Sequence, residues 1–158
     1  MAEIDNVFRE FAAAFAGAFK DTNLICFPEK LDRSELDLSH DSLKIVDNYL
    51  LYLHRHKEQL DVTEWDSTVL YGGAYVGEVI REATKNYFYW IDYDDYMLDH
   101  PDLQVTIPER TTATCAFLVD DSGGISMPLN KIARFIEDGE ENSVHFFAHC
   151  DIQHARDA

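Results

Sequence analysis

Positive charge is scarce in this sequence. Its 158 residues include 13 Lys and Arg against 30 Asp and Glu, so the formal net charge is −17. A chain of that sign repels the phosphates of DNA, RNA and anionic lipids, which argues against nucleic-acid binding and against binding at a membrane surface. It attracts basic proteins and divalent cations instead. Acidity that serves solubility alone would give the same composition.

Cysteine is rare and its spacing is wide. Cys26, Cys115 and Cys150 are the three in the chain, and no Cys-x-x-Cys pair occurs. An odd number of distant cysteines, after an N-terminus that is acidic where a signal peptide must be basic, predicts reduced thiols in a cytoplasmic protein. Long apolar runs are missing too, since the longest one near the N-terminus, Phe11 to Phe19, is too short to span a bilayer.

Apolar residues are plentiful, at 46% of the chain, and aromatic residues reach 13%. That is enough to build a hydrophobic core, so we expect a single domain over residues 1–158. Apolar residues recur at helical spacing over about residues 3–85, and β-prone segments and further helices follow over about residues 86–150. This order predicts an α+β fold, in which N-terminal helices pack on a small antiparallel sheet and C-terminal helices follow.

Periodicity and capping residues give the individual elements. Ser39 is expected to cap the second helix, and Thr63, with Asp66, the third. Residues 93–102 are expected to form an acidic loop and residues 151–158 a frayed tail. The predicted elements are helices at 3–20, 39–59 and 63–85, strands at 86–92, 111–119 and 125–127, a further candidate strand at 103–107, and helices at 128–138 and 142–150.

Three glycines stand within six residues of the third predicted helix, among them Gly73 and Gly77. Each weakens a helix by about 1 kcal/mol relative to alanine, so close approach of another backbone is the expected compensation. Gly73 and Gly77 lie one turn apart, and we expect the helix that contains Leu43–Leu53 to pack there. No Lys-Ser or Lys-Thr follows the glycines, which excludes a phosphate-binding loop. Glu78 and Arg81 are expected to pair and are candidate binding residues.

Two segments, Leu38–Leu50 and Gly73–Arg81, together resemble a pattern in small bacterial proteins of unknown function. In those proteins a Ser-Leu-x-x-Val-Asp helix precedes a Gly-Ala-Tyr-x-Gly-Glu-Val helix, a strand that carries a Trp, and a Pro-Leu-x-Lys helix. Trp90 and Pro128–Lys131 match the later elements. The resemblance implies no catalytic residue and no cofactor. Some of these proteins belong to toxin–immunity neighbourhoods, so it implies an immunity-like role as one expectation.

Aromatic and acidic residues alternate in the next segment. Tyr and Trp are the side chains that most often anchor interfaces, and carboxylates beside them can meet Lys or Arg of a partner. The candidate binding residues of this segment are Trp90, Tyr93, Asp94, Asp95, Tyr96 and Asp99. The alternative is that the rings fill the core while the acids protect an edge strand. A calcium loop of the helix–loop–helix kind is excluded, because the positions that need Gly and Glu hold Met97 and Leu103.

His145 and His149 are candidate zinc ligands, because residues four apart share a face of a helix. The Glu that follows the first His of a metalloprotease is absent, and ordinary surface histidines are the alternative. The Gly-x-Ser-x-Gly turn that presents a nucleophilic serine does not occur. We therefore predict no catalytic residue and expect no cofactor.

These patterns favour a small, acidic, cytoplasmic binding protein over an enzyme. An immunity-type protein that neutralises a basic partner is one concrete form. A metal-assisted hydrolase that uses His145 and His149 is one alternative, and a polyanion mimic that blocks a nucleic-acid-binding protein is another. The first helix offers more ring area than a peripheral helix needs, which also predicts a homodimer contact through Phe8, Phe11, Phe15 and Phe19.

Overall fold

The structure, a computed structural model, describes residues 3–19 and 25–158. Three helices lead, a small sheet and a short helix follow, and two helices end the chain, which confirms the predicted α+β fold. In chain order the elements are α1 (Glu3–Phe15), α2 (Leu43–Arg55), α3 (Val62–Ala83), β1 (Tyr89–Asp92), α4 (Tyr93–Asp99), β2 (Ala116–Val119), β3 (Ile125–Ser126), α5 (Pro128–Asp138) and α6 (Val144–Asp157).

Helix α1 buries its phenylalanine stripe within the chain. Phe8 stacks on Trp90 with 4.2 Å between ring centroids, Phe11 meets Tyr71, and Phe15 is fully buried. Burying a Phe side chain contributes roughly 1.5–3 kcal/mol, so this face fixes α1 against α3. The rings of Phe8 and Phe15 are therefore not available to the predicted homodimer.

Helix α2 follows its apolar period. Leu43, Val46, Tyr49, Leu50 and Leu53 are all buried, as their spacing predicts. The cap at Ser39 is also confirmed, because its hydroxyl accepts a hydrogen bond from the amide of Ser42. It opens one turn of 3₁₀ helix, which leads directly into α2.

The N-cap of helix α3 lies two residues earlier than predicted. Its N-cap is Asp61, whose carboxylate accepts a hydrogen bond from the amide of Glu64 at 3.0 Å, so the predicted capping box of Thr63 and Asp66 is wrong. Asp and Thr are both good caps, and sequence spacing did not separate them. The helix spans 22 residues and is buried from Gly72 to Arg81.

The sheet is antiparallel, in the order β1-β2-β3, and its strands are shorter than predicted. Trp90 lies opposite Leu118 in β1 and β2, and a turn that starts at Asp120 returns the chain to β3. Residues 112–114 form a 3₁₀ turn, so Cys115 precedes β2 instead of lying within a strand. The candidate strand at 103–107 is also wrong, since residues 101–105 form a 3₁₀ helix that opens with Pro101.

The predicted acidic loop at 93–102 contains α4. Asp92 caps it by accepting a hydrogen bond from the amide of Asp94 at 2.9 Å. Tyr93, Tyr96 and Met97 are buried at i, i+3 and i+4, which is the apolar spacing of a short helix. The rings and acids that alternate in the sequence, which suggested a strand or loop, therefore lie on the buried and exposed faces of one helix.

Helix α5 has the predicted boundaries, whereas α6 begins two residues later than predicted and ends seven residues later. Helix α5 starts at Pro128, and Gly139 closes it with a φ of 106°, a conformation that favours glycine. Helix α6 runs on to Asp157, so residues 151–158 do not form the predicted frayed tail. Ile152 is buried against the core, which keeps the end of α6 in place.

The helical glycines do mark close contacts, but not with α2. A Cβ atom on Gly73 would lie 2.6 Å from the Cα of Leu129 in α5, and one on Gly77 would overlap the Trp90 ring. The missing side chain at Gly73 therefore allows α5 to pack closely on α3, and the missing side chain at Gly77 leaves space for the Trp90 ring from β1. The predicted partner, the helix with Leu43–Leu53, was wrong because the glycine spacing shows only that something approaches.

We expect Gly73→Ala to destabilise the protein relative to Gly72→Ala, a control in the same helix. The added methyl at Gly73 meets backbone of α5, which cannot move without shifting the helix, whereas at Gly72 it faces the edge of the Phe15 ring at 3.3 Å. Overpacking costs about 1–3 kcal/mol. Urea unfolding measures the difference, and a Gly73→Ala variant as stable as Gly72→Ala would contradict the packing described.

Candidate functional site

Three predicted binding residues, Glu78, Arg81 and Trp90, meet in a buried network of charges. Nη1 of Arg81 donates to Oε2 of Glu78 at 3.0 Å, and Nε1 of Trp90 donates to the same oxygen at 2.9 Å. The predicted pairing of Glu78 with Arg81 is therefore confirmed. Their side chains are only 7% and 4% exposed, so the pair forms in a medium that screens charge weakly.

A second carboxylate completes the network from α1. Oδ1 of Asp5 accepts a hydrogen bond from the backbone amide of Trp90 at 2.9 Å, and Oδ2 lies 3.6 Å from Nη2 of Arg81. Nε of Arg81 donates to the carbonyl of Phe88 at 3.2 Å. One guanidinium thus joins α1, α3 and the start of β1.

Asp5 and Arg9, which sequence reasoning missed, lie on the same side of α1. Arg9 lies 3.7 Å from Oε1 of Glu78, so the four charges of the cluster sum to zero. The one sequence signal was an acid and a base four residues apart on a helix, a pattern that usually marks a solvated face. Nothing in that spacing indicates a buried partner 76 residues away in the chain.

We expect Arg81→Met to destabilise the protein by roughly 3–5 kcal/mol, because it removes the buried cation that pairs with both Asp5 and Glu78 and leaves the half-exposed Arg9 beside Glu78. Arg134→Met is the matched control. Arg134 pairs with Asp138 one turn away on an exposed face, and such pairs contribute less than about 0.5 kcal/mol. Chemical denaturation of both variants tests this, and equal losses would mean that the buried network has no special weight.

The remaining predicted binding residues belong to α4, which separates them into two sets. Tyr93 and Tyr96 are buried with Phe117 of β2, and the hydroxyl of Tyr93 donates to the carbonyl of Ile107 at 2.7 Å. Trp90 is buried as well. These three rings therefore fill the core, as the alternative interpretation expected, and they are not exposed for direct contact with a partner.

The opposite side of α4 is exposed and carries Asp94, Asp95, Leu98 and Asp99, which we call the α4 face. Residues four apart lie above one another on a helix, so the four side chains share one surface. Leu98 is 80% exposed, and Val105, in the 3₁₀ helix that follows, is 87% exposed. The surface thus combines carboxylates with aliphatic side chains.

Among the described residues, Arg110 is the cation that forms an ion pair with a carboxylate of the α4 face, Asp94. It lies 2.7 Å from Oδ1 of Asp92 and 3.6 Å from Oδ2 of Asp94, and these carboxylates raise its pKa. Within residues 3–19 and 25–158, Asp95 and Asp99 enter no ion pair. Their charge therefore faces solvent.

The predicted zinc ligands form a stack of imidazoles instead. The rings of His145 and His40 lie parallel with 4.0 Å between centroids, and Nε2 of His40 donates to the backbone carbonyl of His145 at 2.9 Å. His149 lies further along the same stack, 6.1 Å from His40. In the described part of the chain, no three His, Cys, Asp or Glu side chains gather in a way that could hold a metal ion.

A further polar cluster fixes α6 to the β2–β3 turn. The carboxylate of Asp120 accepts hydrogen bonds from the amides of Ser122 and Gly124 and lies 3.0 Å from Nε2 of His154. These bonds outweigh burial and lower the pKa of Asp120 to about 2. Asp151 accepts from the hydroxyl of Ser126, and burial raises its pKa. The cluster thus joins the β2–β3 turn and β3 to α6.

No family model, curated protein or solved structure matches this chain. None of the described helices is long and apolar enough to cross a membrane.

We expect the stability of the protein to fall as the pH is lowered from 7.5 to 5.5, in part through His145. Burial, and then the charge of His40, lower the pKa of His145 below its ordinary value of 6.5. Just below pH 6.5, His145 is protonated in the unfolded chain but still largely neutral in the folded protein. Lowering the pH therefore favours the unfolded state. The contribution of His145 to the free energy of unfolding is complete above pH 6.5 and is lost as the pH falls through the lower pKa of the folded protein.

The His145→Gln variant isolates this contribution. Its free energy of unfolding should decline less between pH 7.5 and pH 5.5 than that of the wild type, as measured by urea unfolding at each pH. Parallel declines in the two proteins would show that His145 does not titrate as its surroundings require.

Proposed function

We propose that the protein is an acidic binding protein that docks a basic protein partner through the α4 face. The observation that carries this proposal is the exposure of Leu98 between Asp94, Asp95 and Asp99. An exposed Leu alone needs no explanation, but one aliphatic side chain within a ring of carboxylates offers an apolar contact and a charged rim together.

Each part of the surface has a distinct role in the proposal. Covering Leu98 would supply apolar burial, roughly 1.5–3 kcal/mol for a whole side chain. Asp95 and Asp99 would meet Lys or Arg of the partner. Surface charges of this kind contribute little to affinity, but they accelerate association with a partner of opposite sign and disfavour wrong partners.

The net charge of −17 supports the same partner. Its field attracts a basic protein over a distance set by the Debye length, about 8 Å at physiological ionic strength. The association rate should therefore fall as salt is added. A cytoplasmic location is part of the proposal, since the exposed thiol of Cys150 is retained most easily in a reducing compartment.

An immunity-type protein, which neutralises a basic toxin by covering it, is the concrete form that we favour. The resemblance of Leu38–Leu50 and Gly73–Arg81 to small bacterial proteins, some of which belong to toxin–immunity neighbourhoods, is the sequence feature behind this choice. The hydrolase alternative gains no support, because His145 faces His40. A homodimer contact through α1 would have to use side chains that stay exposed on this helix, such as Val7, since the rings of Phe8 and Phe15 are buried within the chain.

We expect a basic protein to bind the wild type, and we expect this binding to be lost in the Asp95→Lys/Asp99→Lys variant. The control Glu58→Lys/Glu82→Lys changes the net charge by the same amount at exposed positions outside the α4 face. Capture from a lysate of the source organism, with the three proteins as bait, identifies the partner. Binding kinetics of the purified partner at several salt concentrations then measure the steering.

Leu98→Ser tests the apolar contact without changing any charge. It should raise the dissociation rate and leave the salt dependence of association unchanged. Equal capture by the wild type and both charge-reversal variants, or a captured partner that is not basic, would refute the proposed surface. A nucleic-acid-binding partner that DNA displaces would instead favour the polyanion mimic.

A further inference from the structure

A pocket of about 130 Å³ lies between the C-terminal half of α4, the strands β1 and β2, and the turn that follows β2. That volume is well below the roughly 300–1,000 Å³ of pockets that hold whole small molecules, so the space suits a single side chain. Asp99 belongs both to the lining of this pocket and to the α4 face. A protein docked on the α4 face is therefore within reach of the pocket.

The walls of the pocket are aromatic and aliphatic. Tyr89 and Ile91 contribute to them from β1, Tyr96 from α4 and Val119 from β2. Tyr89 is 38% exposed, which leaves part of its ring free to cover a hydrocarbon stem. The ring of Tyr96 is stacked on His100, with 4.2 Å between centroids. These walls suit the methylene groups of a long side chain.

The side of the pocket next to the β2–β3 turn is formed by backbone. Gly123 and Gly124 line it, and a Cβ atom on Gly124 would overlap the carboxylate of Asp120. A Cβ atom on Gly123 would point into open space. An approaching chain thus meets two residues without side chains here, which leaves the pocket accessible.

Negative charge surrounds the pocket. Asp99 lines it and, within residues 3–19 and 25–158, enters no ion pair, so its carboxylate can accept hydrogen bonds from a ligand. Asp120 also lines it, and the hydrogen bonds that outweigh burial and lower its pKa to about 2 keep it ionised at neutral pH. Burial raises the pKa of Tyr89, and the charges of Asp121 and Asp120 raise it further. The hydroxyl in the pocket wall therefore lies in a negative field.

Two histidines bring basic groups to these carboxylates. Nδ1 of His100 donates to a backbone carbonyl of α4 at 3.2 Å, and Nε2 of His154 lies 3.0 Å from Oδ2 of Asp120. Even with both rings protonated, the three carboxylates would leave a net negative charge around the pocket. The net charge of the whole chain, −17, adds to this preference for a cation.

We infer that this pocket takes a lysine side chain of the basic partner, an assignment that rests on the proposed function. The methylene groups of the lysine lie along Tyr89, Ile91 and Val119, and its ammonium donates to the carboxylate of Asp99. A compact ammonium suits the pocket better than a guanidinium, because the carboxylates come from two separate elements and do not offer one flat pair of acceptors.

N-acetyl-lysinamide carries the same side chain without the partner and tests the pocket directly. Titrated into isotopically labelled protein and followed by two-dimensional NMR, it should shift the amide signals of Gly123 and Gly124 with a Kd of about 1–10 mM. N-acetyl-norleucinamide has the same stem without the ammonium and should bind at least about fivefold less tightly, because it forms no ion pair. Absence of shifts at the two glycines, or equal binding of the two compounds, would overturn the inference.

Two variants of the α4 face locate the ammonium. Asp99→Asn should weaken the binding of N-acetyl-lysinamide about two- to fivefold, the range for an exposed ion pair. Asp95→Asn is the matched control, because it removes the same charge from an exposed position one turn earlier that does not line the pocket, and it should leave the Kd unchanged. Equal losses in the two variants would indicate general attraction by the acidic surface and would contradict a lysine held at Asp99.

The lysine compound needs no partner, so this inference and the proposed function fail separately. If the compound does not bind while a basic protein is captured through the α4 face, the pocket is refuted and the docking proposal stands. If the compound binds at the two glycines and no basic protein is captured, the docking proposal is refuted and the preference of the pocket for lysine is supported.

Discussion

Arg81 carries a full positive charge into the interior, and the arrangement of α1, α3 and the sheet depends on how that charge is met. Its guanidinium lies between Glu78 on its own helix and Asp5 on α1, and it also donates to the carbonyl of Phe88 just before β1. A buried charge without such partners would cost several kcal/mol, so the three elements must come together in this one geometry. Ion pairs of this kind do more to select an arrangement than to stabilise it.

The position of Trp90 is a consequence of that network. Its indole donates to Glu78, its backbone amide donates to Asp5, and its ring rests on Phe8. The ring then occupies the space beside α3 that only a glycine at Gly77 leaves free. Glycine in mid-helix is unfavourable by itself, and here the cost of about 1 kcal/mol is offset by the close seating of the sheet on the helix.

Local signals predicted the elements well and their partners poorly. The apolar period of α2 and the Glu78–Arg81 spacing could be interpreted from sequence, because both contacts lie within one or two turns of a helix. Asp5 could not be placed, since its partner Arg81 is distant in the chain. In α4 the period of the rings was mistaken for alternation, because Tyr93 and Tyr96 are three apart in a segment too short to separate the two patterns.

The same separation of inner and outer faces produces the surface on which the proposed function rests. With its rings held in the core, α4 turns its carboxylates and Leu98 outward, and the charge network on the other side of Trp90 keeps β1 in the position from which α4 starts. The functional proposal thus depends on the buried network, although no residue of that network lies on the α4 face.

A double-mutant cycle between Asp5→Asn and Arg81→Met tests this dependence most directly. Asparagine at Asp5 keeps an oxygen for the amide of Trp90 and removes only the charge. If the two charges act on one another across α1 and α3, the double variant should lose less stability than the two single losses together, with a coupling of at least about 1 kcal/mol in urea unfolding. Stability losses that simply add would show that the charges of Asp5 and Arg81 do not interact, and this would contradict the account.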